Sequence, residues 1–176
     1  MGTVTLTSCA MCLAVITTAF SLALPAQAGD LKVTIAGIRS DKGALMIGLY
    51  DSPEKFKKAI ANSAHKGLLN DKGRLIGVTM RATPGTQGID FPSLPPGRYA
   101  VIVFHDENGN GRLDMNLLGI PMEGYGFSNN ATGFFSAPSF DASAVLISDT
   151  GAEANKSITI GLTYGVLPSL RPRFGK

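Results

Sequence analysis

Residues 99–127 read YAVIVFHDENGNGRLDMNLLGIPMEGYGF, and this stretch decides how the chain is organised. Its first six residues, YAVIVF, are apolar at successive positions, which predicts a strand buried on both faces at the centre of a sheet. From position 106 onward, oxygen-bearing side chains are dense and are interspersed with glycines. A buried strand that ends in such a loop offers a rigid support for a cation or a polar ligand.

Strands with alternating apolar residues are predicted on both sides of this stretch. They cover residues 30–38, 44–50, 74–80 and 88–91 before it, and residues 144–147 and 157–164 after it. Because only five residues separate the first two strands, we expect an antiparallel hairpin there. The pattern lacks the alternating strands and helices of a parallel sheet. It therefore predicts an all-β fold, an antiparallel β-sandwich of the immunoglobulin/transthyretin-like kind with about seven strands.

One short helix and one long loop complete the predicted fold. Ser52 is suited to cap the helix, and Pro53 suits its first position. Phe56 and Ile60 form the apolar side of this helix, and we expect them to cover an end of the sheet. Residues 106–141 show no period but contain several phenylalanines, which indicates a long functional loop anchored to the sheet rather than a disordered segment.

The N-terminal residues 1–28 have the pattern of a secretory signal peptide. Residues 3–24 are nearly free of charge, and Ala-Gln-Ala at positions 26–28 provides a cleavage site. The competing interpretation is a membrane anchor, because the apolar stretch approaches the length that spans a bilayer. We expect cleavage, no stable membrane span afterwards, and a periplasmic or secreted protein. A single β-sandwich domain over residues 29–167 and a C-terminal tail over residues 168–176 then remain.

Cysteine content and charge argue against several classes of function. Cys9 and Cys12 both lie in the N-terminal segment, so the mature chain has no disulfide and no thiol chemistry. The chain contains only two histidines, which argues against a zinc site. The net charge is +3, and the basic residues are scattered rather than arranged in a stripe with aromatic residues. Nucleic-acid binding is therefore not expected.

Residues 106–114, DENGNGRLD, match the first nine positions of a calcium loop. On this template the ligands are the side chains of Asp106, Asn108 and Asn110, the backbone carbonyl of Arg112, and Asp114 directly or through water. The twelfth position of the template, normally a bidentate glutamate, is Leu117. The calcium site predicted from the pattern therefore lacks its usual final ligand.

Glu123 is the nearest residue that could supply the missing carboxylate, and Asp141 is a more remote one. With few charges among the ligands, the expected affinity for Ca²⁺ is weak, with a dissociation constant of roughly 0.1–1 mM. The alternative is that the Asp and Asn side chains bond to their own backbone and shape a turn without metal. The calcium site and the turn without metal would use the same residues.

His105 lies at the border between the strand and the loop. Strand alternation predicts that it is buried and hydrogen-bonded to the loop. A small hydrolase with His105 as general base, beside Asp106 and Glu123, is the alternative. The chain offers no nucleophile at a recognisable spacing, such as G-x-S-x-G, so we expect a non-enzymatic module without catalytic residues.

Tyr125 and Phe127 lie between glycines in the segment GYGF. They could form a stacking surface for a sugar or a peptide, or they could fasten the long loop to the sandwich. Together with His105 they are the predicted ligand-binding residues. The partner expected from this pattern is an envelope protein or a glycan.

Three stretches, HDENGNGRLDMNLLGIPMEGYGFSNNA, LPPGRYAV and APSFDASAV, resemble a family of secreted bacterial proteins catalogued as domain of unknown function 2141. The resemblance spans residues 31–164. It implies a periplasmic, surface or secreted location and no established activity. The LPPGRY turn is also similar to the start of a strand in transthyretin-like and collagen-adhesin B-type sandwich modules. We therefore expect an exported β-sandwich module whose calcium-binding loop supports a partner- or glycan-binding surface.

Overall fold

The computed structural model describes residues 28–68, 76–134, 136–149 and 154–165. Within them the chain forms two β-sheets and two short helices, so the predicted all-β sandwich is confirmed. The strands are β1 (Gly29–Ile38), β2 (Ala44–Tyr50), β3 (Ile76–Arg81), β4 (Gly85–Leu94), β5 (Gly97–Asp106), β6 (Gly124–Phe127), β7 (Val145–Ile147) and β8 (Asn155–Gly161). The helices are α1 (Pro53–Asn62) and α2 (Phe140–Ser143). The predicted leader and tail lie almost wholly outside the described residues.

Two sheets of different size make up the sandwich. The smaller sheet has the order β4-β1-β8, and the larger has the order β3-β2-β5-β6, with β7 pairing along the same edge of β5 as β6. The β1–β8 pair is parallel, with Val33 opposite Ile158, whereas the other pairs are antiparallel. Strand β6 was not predicted from the sequence, since its four residues show no alternation.

The predicted hairpin between the first two strands is wrong. Strand β1 pairs with β4 and β8, whereas β2 pairs with β3 and β5, so residues 39–43 cross from one sheet to the other. Val33 of β1 and Ile47 of β2 are both buried in the apolar cluster between the sheets. The two strands therefore face each other across the core instead of lying side by side.

Strand β5 is buried on both of its faces, as its sequence predicts. One face, including Val101 and Val103, packs into the core between the sheets. The opposite face carries Ile102 and Phe104 into a second apolar cluster on the outer side of the larger sheet. This second cluster gives β5 a dry environment on the face that would otherwise meet water.

Helix α1 supplies much of the second cluster. Its cap is as predicted, because Ser52 Oγ accepts the N–H of Lys55 at 3.4 Å and Pro53 is the first helical residue. Phe56 packs edge-on against Phe127, with ring centroids 6.1 Å apart. The helix therefore covers the outer face of the larger sheet, not its end as expected. Among the described residues, no helix is both long and apolar enough to cross a bilayer.

Candidate functional site

The loop after β5 is organised around the carboxylate of Asp106. This side chain is 1% exposed, and it accepts the backbone N–H groups of Gly109 at 2.8 Å, Asn110 at 3.1 Å and Gly111 at 2.7 Å. Gly109 and Gly111 have φ angles of 74° and 76°, a conformation that glycine adopts without strain. Asp106 therefore holds the turn closed through three charge-assisted hydrogen bonds.

Glu123 closes the same loop from its other end. Strand β6 pairs with β5 so that Gly124 lies opposite His105, which brings Glu123 next to the start of the loop. One carboxylate oxygen accepts the N–H of Glu107 at 2.8 Å, and the other accepts the N–H of Asp114 at 3.1 Å. Glu123 thus binds the loop through backbone N–H groups, and its role as a metal ligand stays a prediction.

The negative charge of the Glu123 carboxylate is disfavoured by its surroundings. The side chain is 5% exposed, and this burial raises the pKa of its carboxyl group above the ordinary value. The neighbouring carboxylates of Asp114 and Asp106 raise that pKa further, while the two backbone N–H groups lower it. A positive charge placed among these carboxylates would therefore be stabilised.

The remaining predicted calcium ligands form a network with one another. The side-chain amide nitrogens of Asn108 and Asn110 donate to the two oxygens of Asp114, at 2.6 and 2.9 Å. The side-chain oxygens of Asn108 and Asn110 accept the backbone N–H groups two residues further on, at 3.0 and 2.8 Å. Arg112 provides one of these N–H groups and its side chain is exposed. The turn is therefore self-supporting.

The predicted calcium ligands provide only part of what a hard cation requires. Oxygen donors from positions 106, 108, 110 and 114 meet in one loop, but each oxygen already accepts an N–H group. Within residues 28–68, 76–134, 136–149 and 154–165, no group of three or more His, Cys, Asp or Glu side chains is placed to hold a metal ion. Calcium would have to compete with the N–H groups for these oxygens. The remote candidate Asp141 forms an ion pair with Arg98 at 2.8 Å instead.

His105 lies on the opposite face of β5 from Asp106 and is fully buried. Its Nε2 lies 2.8 Å from the carbonyl oxygen of Lys42, and its Nδ1 lies 2.8 Å from the hydroxyl oxygen of Tyr164. The carbonyl only accepts, so Nε2 carries the proton and Nδ1 accepts from Tyr164. Both nitrogens of the predicted general base are thus engaged inside the fold.

Arg39 fastens the start of the loop to the crossing between the sheets. Its guanidinium donates to both carboxylate oxygens of Glu107, which also accepts a hydrogen bond from Ser40 at 2.7 Å. The hydrogen bond from Arg39 is the main cause that lowers the pKa of Glu107 to about 2. The guanidinium also lies over the ring of Tyr164, 4.3 Å from its centroid.

A groove of about 440 Å³ lies on the outer side of the larger sheet. Its floor includes Phe104 of β5 and Tyr125 and Phe127 of β6. One wall is formed by Leu113, Met115 and residues 118–121, and the other by residues 130–134 and 136–138. No ionisable acidic or basic side chain is among the described residues that line it. The groove has the size and apolar lining of a small-molecule site.

The second wall of the groove is fastened to β8 by Asn130. Its amide nitrogen donates to the carbonyl oxygen of Thr159 at 3.0 Å, and its oxygen accepts the N–H of Gly161 at 2.8 Å. Asn129 and Asn130 have φ angles of 59° and 49°, the left-handed region that asparagine tolerates better than most residues. The wall is therefore built on a fixed turn.

The predicted ligand-binding residues divide between two places. Phe127 is 8% exposed and packs against Phe56, so it mainly fastens the loop to the sheet. Tyr125 is half-buried and lines the groove, with its ring centroid 6.2 Å from that of Phe127. His105 does not line the groove. Of the three residues, Tyr125 is the one best placed to meet a ligand.

The sequence prediction missed the groove and its rim. Leu118 and Phe134, which are 82% and 84% exposed, stand on the two walls. The signal that could have found Leu118 is the uncharged run MNLLGIPM at positions 115–122, whose large apolar residues are unusual in a loop between polar segments. The walls come from segments far apart in the chain, so no single motif contains them.

Comparison with protein families agrees with the resemblance seen in the sequence. A family model described as "Uncharacterized protein conserved in bacteria (DUF2141)" matches residues 33–155. This match covers most of the sandwich, the loop after β5 and both walls of the groove. No curated protein and no solved structure matches the chain. The chain belongs to the bacterial family of domain of unknown function 2141.

Proposed function

We propose that this protein is a binding module that holds an uncharged, apolar ligand in the groove over β5 and β6. The ligand is a small molecule or the hydrocarbon part of one. The observation that carries this proposal is the lining of the groove of about 440 Å³, in which aromatic and aliphatic side chains predominate and the polar ones are Ser, Thr, Asn and Tyr rather than acidic or basic groups. Pockets that bind small molecules have this size and this predominantly apolar character.

An apolar ligand suits the groove better than a glycan does. A sugar requires several convergent hydrogen-bonding groups, whereas the groove offers Ser and Thr hydroxyls scattered among apolar side chains. Asn130, the amide residue of the lining, already bonds to β8 with both ends of its side chain. Tyr125 presents a ring to the groove, but Leu113 and Phe104 beside it offer only apolar contact. Transfer of hydrocarbon from water to such a surface is favourable in proportion to the area buried.

Binding rather than catalysis is proposed because the groups of the alternative hydrolase are engaged. His105 and Asp106 point to opposite faces of β5, and His105 has partners at both ring nitrogens. Both oxygens of Glu123 accept backbone N–H groups. A general base has to reach its proton within hydrogen-bonding distance. No observation on these residues favours the hydrolase.

The loop of residues 106–114 has a supporting role in this proposal. It begins the wall that continues through Leu113 to the rim of the groove, so its conformation sets the position of that wall. A weakly bound Ca²⁺ at Asp106, Asn108, Asn110 and Asp114 is proposed as an additional stabiliser, since three carboxylates share one network there.

A periplasmic or secreted location is part of the same proposal. It rests on the pattern of residues 1–28, with an uncharged apolar stretch before Ala-Gln-Ala. Cell fractionation followed by mass determination of the intact protein tests it. A mature protein that begins at Gly29 in the periplasm or medium is the expected result. An uncleaved protein in the cytoplasm would contradict it.

The groove is tested with N-phenyl-1-naphthylamine, a neutral apolar probe that fluoresces when it leaves water. We expect saturable binding of one probe per chain. The affinity should change little between about 0.05 and 0.5 M NaCl, because no ionisable group contributes to the lining. Thr132 is exposed and lines the groove, so Thr132→Trp should fill it and weaken binding at least about tenfold.

Thr86→Trp is the matched control. Thr86 is exposed on β4, in the other sheet, and does not line the groove. This variant should bind the probe like the unchanged protein. Absence of saturable binding, or equal weakening by both substitutions, would overturn the proposal for the groove. Unfolding curves in urea confirm that both variants are folded.

A further inference from the structure

We propose that Asn110 is a self-modification site, at which the loop after β5 converts an asparagine into aspartate or isoaspartate without the help of another protein. This inference does not rest on the ligand proposed for the groove or on a metal ion in the loop. Residues 106–114 contain the two Asn-Gly pairs of the chain, Asn108-Gly109 and Asn110-Gly111. In such a pair the glycine nitrogen can attack the side-chain amide of the asparagine, because glycine has no side chain that obstructs the approach.

The attacking nitrogen is held by a carboxylate. The N–H of Gly111 donates to Oδ2 of Asp106 at 2.7 Å. A carboxylate within hydrogen-bonding distance of a proton can remove it as a general base. Asp106 is 1% exposed, so its position beside this N–H is fixed by the fold. Asp106 is therefore placed to take the proton while the nitrogen of Gly111 attacks.

The carbonyl group under attack is polarised by a backbone donor. The side-chain oxygen of Asn110 accepts the N–H of Arg112 at 2.8 Å. Negative charge develops on this oxygen when a nitrogen adds to the carbon, and a donor that already points at the oxygen stabilises that charge. The same bond restrains the side chain of Asn110. The folded loop therefore loses less conformational freedom on the way to the reaction than a free peptide does.

The leaving nitrogen also has a partner. The side-chain Nδ2 of Asn110 donates to Oδ1 of Asp114 at 2.9 Å. This nitrogen becomes positively charged when it takes up the proton with which it leaves. The carboxylate of Asp114 stabilises that positive charge. The loop thus contacts the nucleophile, the carbonyl oxygen and the leaving group of one reaction.

The reaction balances with water alone. A bond forms between the nitrogen of Gly111 and Cγ of Asn110 while Asp106 takes the proton. The bond between Cγ and Nδ2 then breaks, the nitrogen takes a proton from water and leaves as ammonia, and Asp106 returns its proton to water. The product is a cyclic succinimide. Position 110 is exposed, so water reaches the ring and opens it at either carbonyl carbon, which leaves aspartate or isoaspartate.

Asn108 should react more slowly than Asn110. The side-chain oxygen of Asn108 accepts the N–H of Asn110 at 3.0 Å, but Asp106 accepts the same N–H at 3.1 Å. A donor that is shared between two acceptors polarises the carbonyl of Asn108 less than the N–H of Arg112 polarises that of Asn110. The order of conversion therefore depends on the hydrogen bonds, since both asparagines precede a glycine.

Asn116 provides a comparison within the same chain. Its side-chain oxygen accepts the N–H of Leu118 at 2.9 Å, the same kind of bond that Asn110 makes with Arg112. The residue that follows Asn116 is Leu117, whose side chain obstructs the attack. We expect no conversion at Asn116 over the time in which Asn110 reacts.

Peptide mapping by mass spectrometry tests the proposal on the folded protein incubated at neutral pH. Each conversion adds about 1 Da to the fragment that contains the residue. The reference is the free peptide HDENGNGRLD, residues 105–114, under the same conditions. Asn110 should convert at least about threefold faster in the folded protein than in the peptide, and faster than Asn108. An equal or slower rate in the folded protein would show that the loop protects Asn110 and would overturn the proposal.

Asp106→Asn removes the base and keeps an acceptor oxygen beside Gly111. In this variant the conversion of Asn110 should slow to the rate of the free peptide. Asp41→Asn is the matched control, because Asp41 is exposed and lies outside the loop, and it should react like the unchanged protein. Urea unfolding curves confirm that both variants are folded. An unchanged or faster conversion of Asn110 in Asp106→Asn would also overturn the proposal.

Discussion

Gly67 lies against the carbonyl oxygen of Gly111, so closely that a Cβ atom at position 67 would overlap that oxygen. The segment after α1 and the loop after β5 therefore meet backbone to backbone. Gly67 also has a φ angle of 71°, a conformation that other residues adopt at a cost. The contact requires glycine for two separate reasons.

Substitution of Gly67 by alanine should therefore destabilise the protein more than the φ angle alone explains. Gly109 is the matched control, because its φ angle is 74° and a Cβ there would meet nothing within 4 Å. Gly109→Ala should lower the free energy of unfolding by about 1–2 kcal/mol. Gly67→Ala should lower it by at least about 1 kcal/mol more, measured by urea denaturation. Equal losses of unfolding free energy in Gly67→Ala and Gly109→Ala would show that the contact between Gly67 and Gly111 does not contribute to stability.

Removal of the Asp106 carboxylate should loosen the loop. Asp106→Ala leaves the N–H groups of Gly109 and Gly111 without their acceptor, while the N–H of Asn110 keeps only its bond to Asn108. We expect the free energy of unfolding to fall by roughly 3 kcal/mol. Asp106→Asn keeps one acceptor oxygen and should lose less. Asp41 is exposed, and Asp41→Ala should change stability by less than about 0.5 kcal/mol. Protease cleavage after Arg112 should accelerate only in the Asp106 variants.

The pairing of Glu107 with Arg39 should make stability depend on pH in the acid range. The pKa of Glu107 is lowered from the ordinary 4.5 to about 2, so the folded state binds this proton less readily than the unfolded state. The stability contributed by Glu107 is thus present above pH 4.5 and is lost as pH falls toward about 2. Arg39 is half-exposed, so solvent reduces the size of this effect.

Urea denaturation of Glu107→Gln between pH 5 and pH 2 measures this contribution. The variant should show a shallower loss of stability with falling pH than the unchanged protein, because one carboxylate with a lowered pKa is absent. Above pH 5 the variant should be the less stable of the two. Parallel curves would contradict the role of the Arg39 contact.

Calcium should raise the thermal unfolding temperature, by about 5 °C at roughly 10 mM, if the ion binds with the affinity proposed. Asp114→Asn should abolish this response, because it removes one of the carboxylates contributed by the predicted ligands. Asp41→Asn should retain the response. An unchanged unfolding temperature in the unchanged protein, or the same shift in the Asp114 variant, would leave the loop as a metal-free turn.

The strands were predictable wherever burial on one face left an alternating pattern. Val33 and Ile47 belong to such strands, and the structure contains both. Their pairing was not predictable, since the five-residue connection suits a hairpin and a crossing between sheets equally well. The choice depends on which apolar faces meet in the core. That is a property of the whole sandwich and not of the connection.

The loop shows a different limit of sequence analysis. Spacing groups Asp106, Asn108, Asn110 and Asp114 in one loop, and in the structure these side chains share its hydrogen bonds, because alternate positions around tight glycines converge in either interpretation. The same spacing serves a cation and a network of side chains bonded to the backbone. The groove could not be predicted at all, since its walls meet only after β6 pairs with β5.

The pairing of the first described strand with the last has a consequence for folding. Residues 30–36 of β1 pair with residues 155–161 of β8, the first and last strands of the described chain. A chain that emerges from the ribosome amino end first keeps one edge of β1 open until β8 has been made. Exposed strand edges are sites of aggregation. Strand β1 therefore lacks a partner on one edge in any chain that ends before β8, and truncation before residue 155 should produce an insoluble product.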